Sequence, residues 1–109
     1  MIVFVNQKVA DFDAWKKVFV ADEPARRAAG IAGHRVFAVL GRPQAITIEL
    51  EIADIDKASG YLASATFQAA MRRAGGLGAP EVLWTAEVDP ADLQRAVARR
   101  MDSNDRVAA

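Results

Sequence analysis

The feature that most constrains the fold of this chain is the order of its hydrophobic patterns. Four short apolar runs typical of β-strands are separated by stretches with the hydrophobic spacing of amphipathic helices. The order is strand, helix, strand, strand, helix, strand, and it fits within the first four-fifths of 109 residues. This order predicts an α+β, ferredoxin-like βαββαβ fold with a four-stranded antiparallel sheet and both helices on one face.

Capping residues and breakers set the expected boundaries of these elements. Asp11 is the expected N-cap of the first helix, and Pro24 ends or bends that helix before a second short helical piece. Asp54 is the expected N-cap of the second long helix, in which Ser64 is a candidate start for a separate segment. The glycines and the proline at positions 75–80 predict a loop. We expect strands at residues 2–8, 33–40, 45–53 and 81–88.

The third strand has the clearest alternation in the chain. Its apolar row must face the helices, which places Thr47, Glu49 and Glu51 on the opposite side of the sheet. This strand is central in a ferredoxin-like sheet, and Arg35 on the neighbouring strand can reach one of the carboxylates. Two interpretations stay open: a solvated outer face, or a polar cavity between two packed sheets. The apolar row consists of Ile46, Ile48, Leu50 and Ile52.

Nothing in the same chain is predicted to cover that opposite face. The pattern therefore predicts a homodimer closed sheet against sheet. The formal net charge is zero, so no global field attracts nucleic acid or a membrane surface, and we expect neither as a partner. Cysteine is absent, and no apolar run approaches the roughly 20 residues of a membrane span. We expect a cytoplasmic protein.

The chain divides into a main domain, residues 1–89, and a C-terminal helix with a frayed tail, residues 90–109. Asp89 and Pro90 form a typical helix start, with Asp as the cap and Pro at the first helical position. Leu93, Val97 and Met101 recur every four residues and predict an amphipathic helix. We expect this helix to pack on the partner subunit or across the mouth of its own barrel.

Three segments carry a likeness to a known superfamily. The stretch from Lys8 to Phe19 resembles a KV-D-Y/F-D-x-W-K-x-x-F opening. Residues 26–31 and 35–37 look like its continuation, and residues 69–75 and 78–82 resemble its closing segment. Together they resemble small, largely uncharacterised proteins of the dimeric α/β-barrel superfamily. That superfamily also contains the antibiotic-biosynthesis monooxygenases, polyketide cyclases and haem-degrading enzymes. The likeness implies a homodimer with a ligand pocket in each subunit, either between the sheet and the helices or within the barrel.

The resemblance suggests a role for Asn6. Cofactor-free monooxygenases and haem-degrading members place an asparagine on the first strand, where its amide orients a substrate oxygen. The alternative is an asparagine that bonds only backbone or water. Haem-degrading members take their axial histidine from the second helix, and residues 54–74 contain none. We therefore expect no haem, and the lone histidine, His34, with no cysteine argues against a metal site.

Two functional hypotheses follow. In the first, the chain holds a small apolar, aromatic or polyketide-like molecule for cofactor-independent oxygenation or cyclisation. In the second, it is a non-catalytic ligand-binding or assembly module. The lack of a dedicated base favours the second hypothesis, and the polar row of the third strand favours the first. The first assigns catalytic roles to Asn6 and Arg35, which orient an oxygen, and to Glu49 as base. It assigns substrate binding to Thr47, Phe37 and Trp84, although Trp84 also fits a core position under the helices.

Overall fold

A computed structural model of the chain describes residues 1–92, and the elements follow the predicted order. The helical stretches are each divided in two. The elements are β1 (Ile2–Val9), α1 (Phe12–Ala21), α2 (Glu23–Ala28), β2 (Ile31–Ala38), β3 (Ala45–Ile52), α3 (Ile55–Leu62), α4 (Ala65–Arg73) and β4 (Gly76–Thr85).

Side-chain caps explain where three of the helices begin. Asp11 Oδ1 accepts a hydrogen bond from Ala14 N at 3.1 Å, and Asp54 Oδ1 accepts one from Lys57 N at 3.0 Å. Ser64 Oγ accepts a bond from Phe67 N at 3.1 Å, which starts α4 as a separate helix. These three predicted caps are confirmed.

The four strands form one antiparallel sheet in the order β2-β3-β1-β4, so β1 and β3 are central. Val5 pairs with Ile48 and Asn6 with Thr47 across the central pair. In antiparallel pairs, directly opposed residues project to the same face. The register therefore assigns each strand position to the helix side or to the opposite side, and the predicted ferredoxin-like fold is confirmed.

The hydrophobic core lies between the helices and one face of the sheet. Ile46, Ile48 and Leu50 of β3 are each 2% exposed, as the alternation predicted. Trp15 and Phe19 bring the α1 stripe into the same cluster. The other buried residues of the cluster are Val3, Val5, Val9, Ile31, Ile52, Ala58, Leu62, Phe67, Met71 and Ala74.

The last strand begins five residues before its predicted start. Gly76 and Leu77 pair with Val9 and Lys8 of β1, beyond an irregularity in the register between Asn6 and Lys8. The buried Gln7 lies at that irregularity, and its Nε2 donates to the carbonyl of Leu77 at 3.2 Å. The loop predicted for residues 75–80 is therefore wrong, because pairing with β1 outweighs the low strand propensity of Gly and Pro.

Gly30 joins the helical layer to the sheet in a conformation that needs glycine. Its φ is +81°, and a Cβ there would lie 2.7 Å from the Cβ of Asp54. Its carbonyl accepts from the backbone N of both Ala53 and Asp54. This junction holds the start of β2 against the start of α3.

The C-terminal prediction is tested only at its beginning. Ala91 N donates to Asp89 Oδ1 at 2.8 Å, which is the expected capping contact. Leu93, Val97 and Met101 lie outside the described residues, so the predicted amphipathic helix stays a prediction. Within residues 1–92, no helix has the length and apolar character needed to cross a membrane.

Candidate functional site

The sheet face opposite the helices carries most of the predicted site residues, and we call it the open face. Apolar and polar side chains alternate across it. Phe37 is 44% exposed and Leu83 is 43% exposed, so two large apolar side chains face away from the core. By register, the open face includes Phe4, Asn6, Arg35, Phe37, Thr47, Glu49, Glu51, Glu81 and Leu83.

Asn6 is held between side chains from the two neighbouring strands. Thr47 Oγ1 donates to Asn6 Oδ1 at 2.8 Å, and Asn6 Nδ2 donates to Glu81 Oε1 at 3.0 Å. An ionised carboxylate can only accept, so the amide nitrogen must face Glu81 and the amide oxygen must face Thr47. The network fixes both the position and the orientation of the Asn6 amide.

The fixed amide retains hydrogen-bonding capacity. An amide nitrogen carries two N–H groups and an amide oxygen has two acceptor sites, and the Thr47–Asn6–Glu81 network uses one of each. Asn6 is only partly buried, so its second N–H can reach a ligand on the open face. The amide can therefore donate to a ligand oxygen while its neighbours hold it in place.

Arg35 and Glu49 form a second polar unit on the same face. The Arg35 guanidinium donates to both carboxylate oxygens of Glu49, one of them at 3.1 Å. The guanidinium carbon also lies 5.5 Å from the ring centroid of Phe37. The predicted contact between Arg35 and a carboxylate of β3 is confirmed.

The ion pair changes the chemistry of its carboxylate. Hydrogen bonding from Arg35, together with its charge, lowers the pKa of Glu49. The same contact raises the pKa of Arg35. A carboxylate with a lowered pKa is a weaker base at neutral pH, so the geometry does not favour the predicted role of Glu49 as general base.

Two clefts adjoin these polar units. The larger, about 450 Å³, lies beside Asn6, Thr47 and Glu81, and its wall includes Leu77 and Arg42. Its volume falls within the range of small-molecule pockets. The smaller, about 250 Å³, borders Arg35 and Glu49. Asn6 and its neighbours thus lie at the cleft whose size suits an aromatic ligand.

Trp84 is separated from the other predicted site residues. It pairs with Val3 of the buried row, so its side chain lies on the helix side of the sheet, where it is 41% exposed on an edge strand. The structure does not bring Trp84 together with Asn6. His34 is also exposed, and its ring makes an edge-to-face contact with Phe19 at 4.9 Å between centroids.

Glu81 carries no signal in the sequence pattern, although its carboxylate accepts a hydrogen bond from Asn6. The two residues lie 75 positions apart in the chain. Their contact depends on the register of β1 with β4, which shifts just beyond Asn6. Only a correct start for β4 and the position of that shift would have pointed to Glu81.

The described residues offer no metal centre. No group of three or more His, Asp or Glu side chains within residues 1–92 is placed to hold a metal ion. The only histidine contacts an aromatic ring, and the carboxylates of Glu49 and Asp22 are each paired with an arginine. The open face supplies hydrogen-bond donors and acceptors and an ion pair.

Comparison with solved structures shows where this fold has been seen. A candidate antibiotic biosynthesis monooxygenase from Bordetella bronchiseptica matches with a TM-score of 0.66 and 17% identity, over 81% of this chain and 96% of that one. A second candidate monooxygenase, from Caulobacter crescentus, matches with a TM-score of 0.61 and 19% identity, over 81% and 89% of the two chains. The chain has the ferredoxin-like fold of these structures.

SnoaB, a cofactor-independent oxygenase from Streptomyces nogalater, shares the same fold. A mutant form of it matches with a TM-score of 0.57 and 18% identity, over 82% of this chain and 96% of that chain. No family model matches the sequence, and no curated protein matches it.

Proposed function

We propose that this protein is a homodimer that binds a small aromatic or polyketide-like molecule and oxygenates it without a cofactor. The observation that carries the proposal is the Asn6 amide, fixed between Thr47 and Glu81 beside a cleft of about 450 Å³. The likeness in fold to a cofactor-independent oxygenase supports the reaction class.

Exposed apolar side chains support the homodimer. Phe37 and Leu83 lie on a sheet face that no element within residues 1–92 covers. Burying such side chains against a second sheet removes apolar area from water and stabilises an association. Pairing two open faces would also shield the clefts from solvent, which strengthens the hydrogen bonds made inside them.

The proposed chemistry begins with a phenol or enol substrate. Its oxygen accepts the free N–H of Asn6, which stabilises the negative charge that develops when the substrate loses a proton. Glu81 is the carboxylate placed to take that proton, since its Oε2 makes no hydrogen bond within the described residues. The electron-rich anion then adds molecular oxygen at a ring carbon, and Glu81 returns the proton to the resulting peroxide. Loss of water from the hydroperoxide leaves a carbonyl, so one oxygen atom enters the product, the other leaves as water, and the substrate itself supplies the electrons.

One observation favours a second candidate function. The Arg35 guanidinium donates to both carboxylate oxygens of Glu49, so this pair can hold a polar group in place without taking part in proton transfer. The alternative is a non-catalytic dimeric module that binds the same class of molecule. In that case Asn6 and the Arg35–Glu49 pair only orient the ligand.

Oxygen uptake distinguishes the two functions. We expect wild type to consume oxygen with at least one member of a panel of polycyclic phenols, in buffer with chelator and without flavin. Asn6→Ala should lower kcat roughly 100-fold, as the loss of one donor to a developing oxyanion does. Glu81→Gln should lower kcat as well, while its matched control, Glu87→Gln, should leave it unchanged.

The outcomes separate cleanly. Tryptophan fluorescence or calorimetry measures binding of the phenol. Binding without oxygen uptake contradicts the oxygenase and supports the binding module. Oxygen uptake that Asn6→Ala leaves intact contradicts the assigned site. No binding of any panel member overturns both functions.

A further inference from the structure

The cleft beside Asn6, which we call the Asn6 cleft, carries an excess of positive charge that the proposed reaction does not use. Besides Asn6, Thr47 and Glu81, its wall includes the cationic side chains of Lys8 and Arg42. Glu81 is the one carboxylate of that wall in the described part of the chain. Two cations and one carboxylate give the cleft a formal charge of +1, in a chain whose formal net charge is zero.

The strand register places both cations beyond Asn6 in the same direction. Asn6 pairs with Thr47, and Lys8 pairs with Ala45 two positions further along both strands. Residues two apart on a strand project to the same face and are separated by about 7 Å. Ala45 is the first residue of β3, so the turn that carries Arg42 lies directly beyond this pair. The cleft therefore has an amide towards one end and two cations towards the other.

The turn fixes the backbone of Arg42 at that end of the cleft. Arg42 N donates to the carbonyl of Val39 at 3.1 Å, and the Arg42 carbonyl accepts from Ala45 N at 3.0 Å. Among the described residues, neither the guanidinium of Arg42 nor the ammonium of Lys8 forms an ion pair or a hydrogen bond. The donors of both side chains are therefore available to a ligand.

The other cleft of the open face has the opposite charge. Its wall contains Arg35 together with Glu49 and Glu51. One cation and two carboxylates give it a formal charge of −1, with His34 counted as neutral. The positive excess is thus a property of the cleft that contains Asn6, and the open face as a whole does not share it.

The rest of the wall of the Asn6 cleft is largely apolar. Val39, Leu77 and Ala79 border it, and Leu77 is 45% exposed. An apolar ring system packs on such a wall, while a few placed polar groups fix its orientation. A ligand that matches the whole cleft has an apolar body, an oxygen that accepts from Asn6, and an anionic group towards the turn.

We propose that the Asn6 cleft selects aromatic or polyketide-like substrates that carry a carboxylate, which Arg42 and Lys8 bind. The planar guanidinium of arginine matches a carboxylate through two parallel hydrogen bonds, and lysine adds a point charge. This inference rests on the proposed function, since the carboxylate anchors the same molecule whose phenol or enol oxygen accepts from Asn6. Arg42 and Lys8 bind the substrate and take no part in the proton transfer.

Binding of two ligands that differ in charge tests the proposal. 6-Hydroxy-2-naphthoic acid has a phenol and a carboxylate at opposite ends of two fused rings, and 6-hydroxy-2-naphthamide replaces the carboxylate with a neutral group of similar size. At pH 7, we expect calorimetry on wild type to give the acid a Kd roughly tenfold below that of the amide, as a charge-assisted hydrogen bond provides. The ratio should fall as sodium chloride is added, because salt screens exposed charges.

Variants of two exposed arginines locate the effect. Arg42→Gln should bring the Kd of the acid close to that of the amide, and Arg42→Glu should make the amide the tighter ligand. Arg42 is exposed in a turn, so both variants should keep the fold. Arg72→Gln is the matched control, because it removes the same charge from an exposed position on α4, on the other side of the sheet, and should leave the ratio unchanged.

The outcomes distinguish this inference from the proposed function. Equal Kd values for the acid and the amide in wild type, or an unchanged ratio in Arg42→Gln, would overturn the carboxylate site and leave the proposed function standing. A ratio that falls as much in Arg72→Gln as in Arg42→Gln would show a general effect of net charge and would also contradict the site. Binding of neither ligand would overturn both this inference and the proposed function.

Discussion

The two faces of the sheet are built from the same strands and have opposite properties. Ile48 on β3 is 2% exposed beneath the helices, while Thr47, the residue before it, bonds Asn6 on the open face. The packed face is a continuous apolar cluster. The open face combines large exposed apolar side chains with an amide network and an arginine–glutamate pair.

The difference between the two faces shows that they contribute unequally to the stability of the folded chain. The packed face buries most of its apolar area within the chain, so it supplies most of the free energy of folding. The open face adds little to the stability of one subunit, because its ion pair and its apolar side chains are partly solvated. Its composition fits the association and ligand binding that we propose.

The largest expected difference is in the free energy of unfolding, between substitutions at two adjacent residues of β3 that lie on opposite faces of the sheet. Ile48→Ala leaves a cavity in the core and should lower the free energy of unfolding by about 2–5 kcal/mol. Thr47→Ala removes one hydrogen bond on the open face and should cost about 1 kcal/mol. Urea denaturation of both variants measures the contrast. Equal losses would show that the two faces contribute alike to stability.

A charge on the open face should affect association more than folding. Leu83→Glu places a carboxylate where we propose a second sheet, so the dimer dissociation constant should rise at least 30-fold, about 2 kcal/mol. Far-ultraviolet circular dichroism should stay unchanged. Light scattering after gel filtration measures the dissociation. Leu40→Glu, at a side chain that is 96% exposed in the β2–β3 turn, is the control.

The smallest expected effect concerns pH. Arg35 lowers the pKa of Glu49 below its ordinary value of 4.5, so the folded state binds this proton less tightly than the unfolded chain does. The stability from this pair is therefore present above pH 4.5 and is lost as the pH falls through the lowered pKa. The Glu49→Gln variant should lack this pH-dependent contribution to the free energy of unfolding. Urea unfolding of both proteins at a series of pH values tests it, and parallel profiles would contradict it.

Local signals predicted much of the fold. The caps at Asp11, Asp54 and Ser64 depend on a few neighbouring residues, and the alternation along β3 depends on the period of a single strand. Both kinds of signal are contained in short stretches of sequence. The element order and the two faces of β3 could therefore be predicted, as could the contact of Arg35 with a carboxylate.

The site depends on contacts that short stretches do not encode. The Asn6–Glu81 bond joins residues from opposite ends of the sheet-forming chain, and it requires the register of β1 with β4. Glycine and proline at positions 75–80 predict a loop, whereas strand pairing makes residues 76–80 part of β4. The predicted roles of Asn6, Arg35, Glu49, Thr47, Phe37 and Trp84 stay predictions.

Native mass spectrometry of the purified protein tests the central claim most directly. If the open face is an interface between two copies, the main species has twice the 11.8 kDa mass of the chain and persists on dilution to low micromolar concentration. A small additional mass would be a bound ligand for identification. A monomer of 11.8 kDa at all concentrations would contradict the account, because the open face would then have no second sheet to cover it.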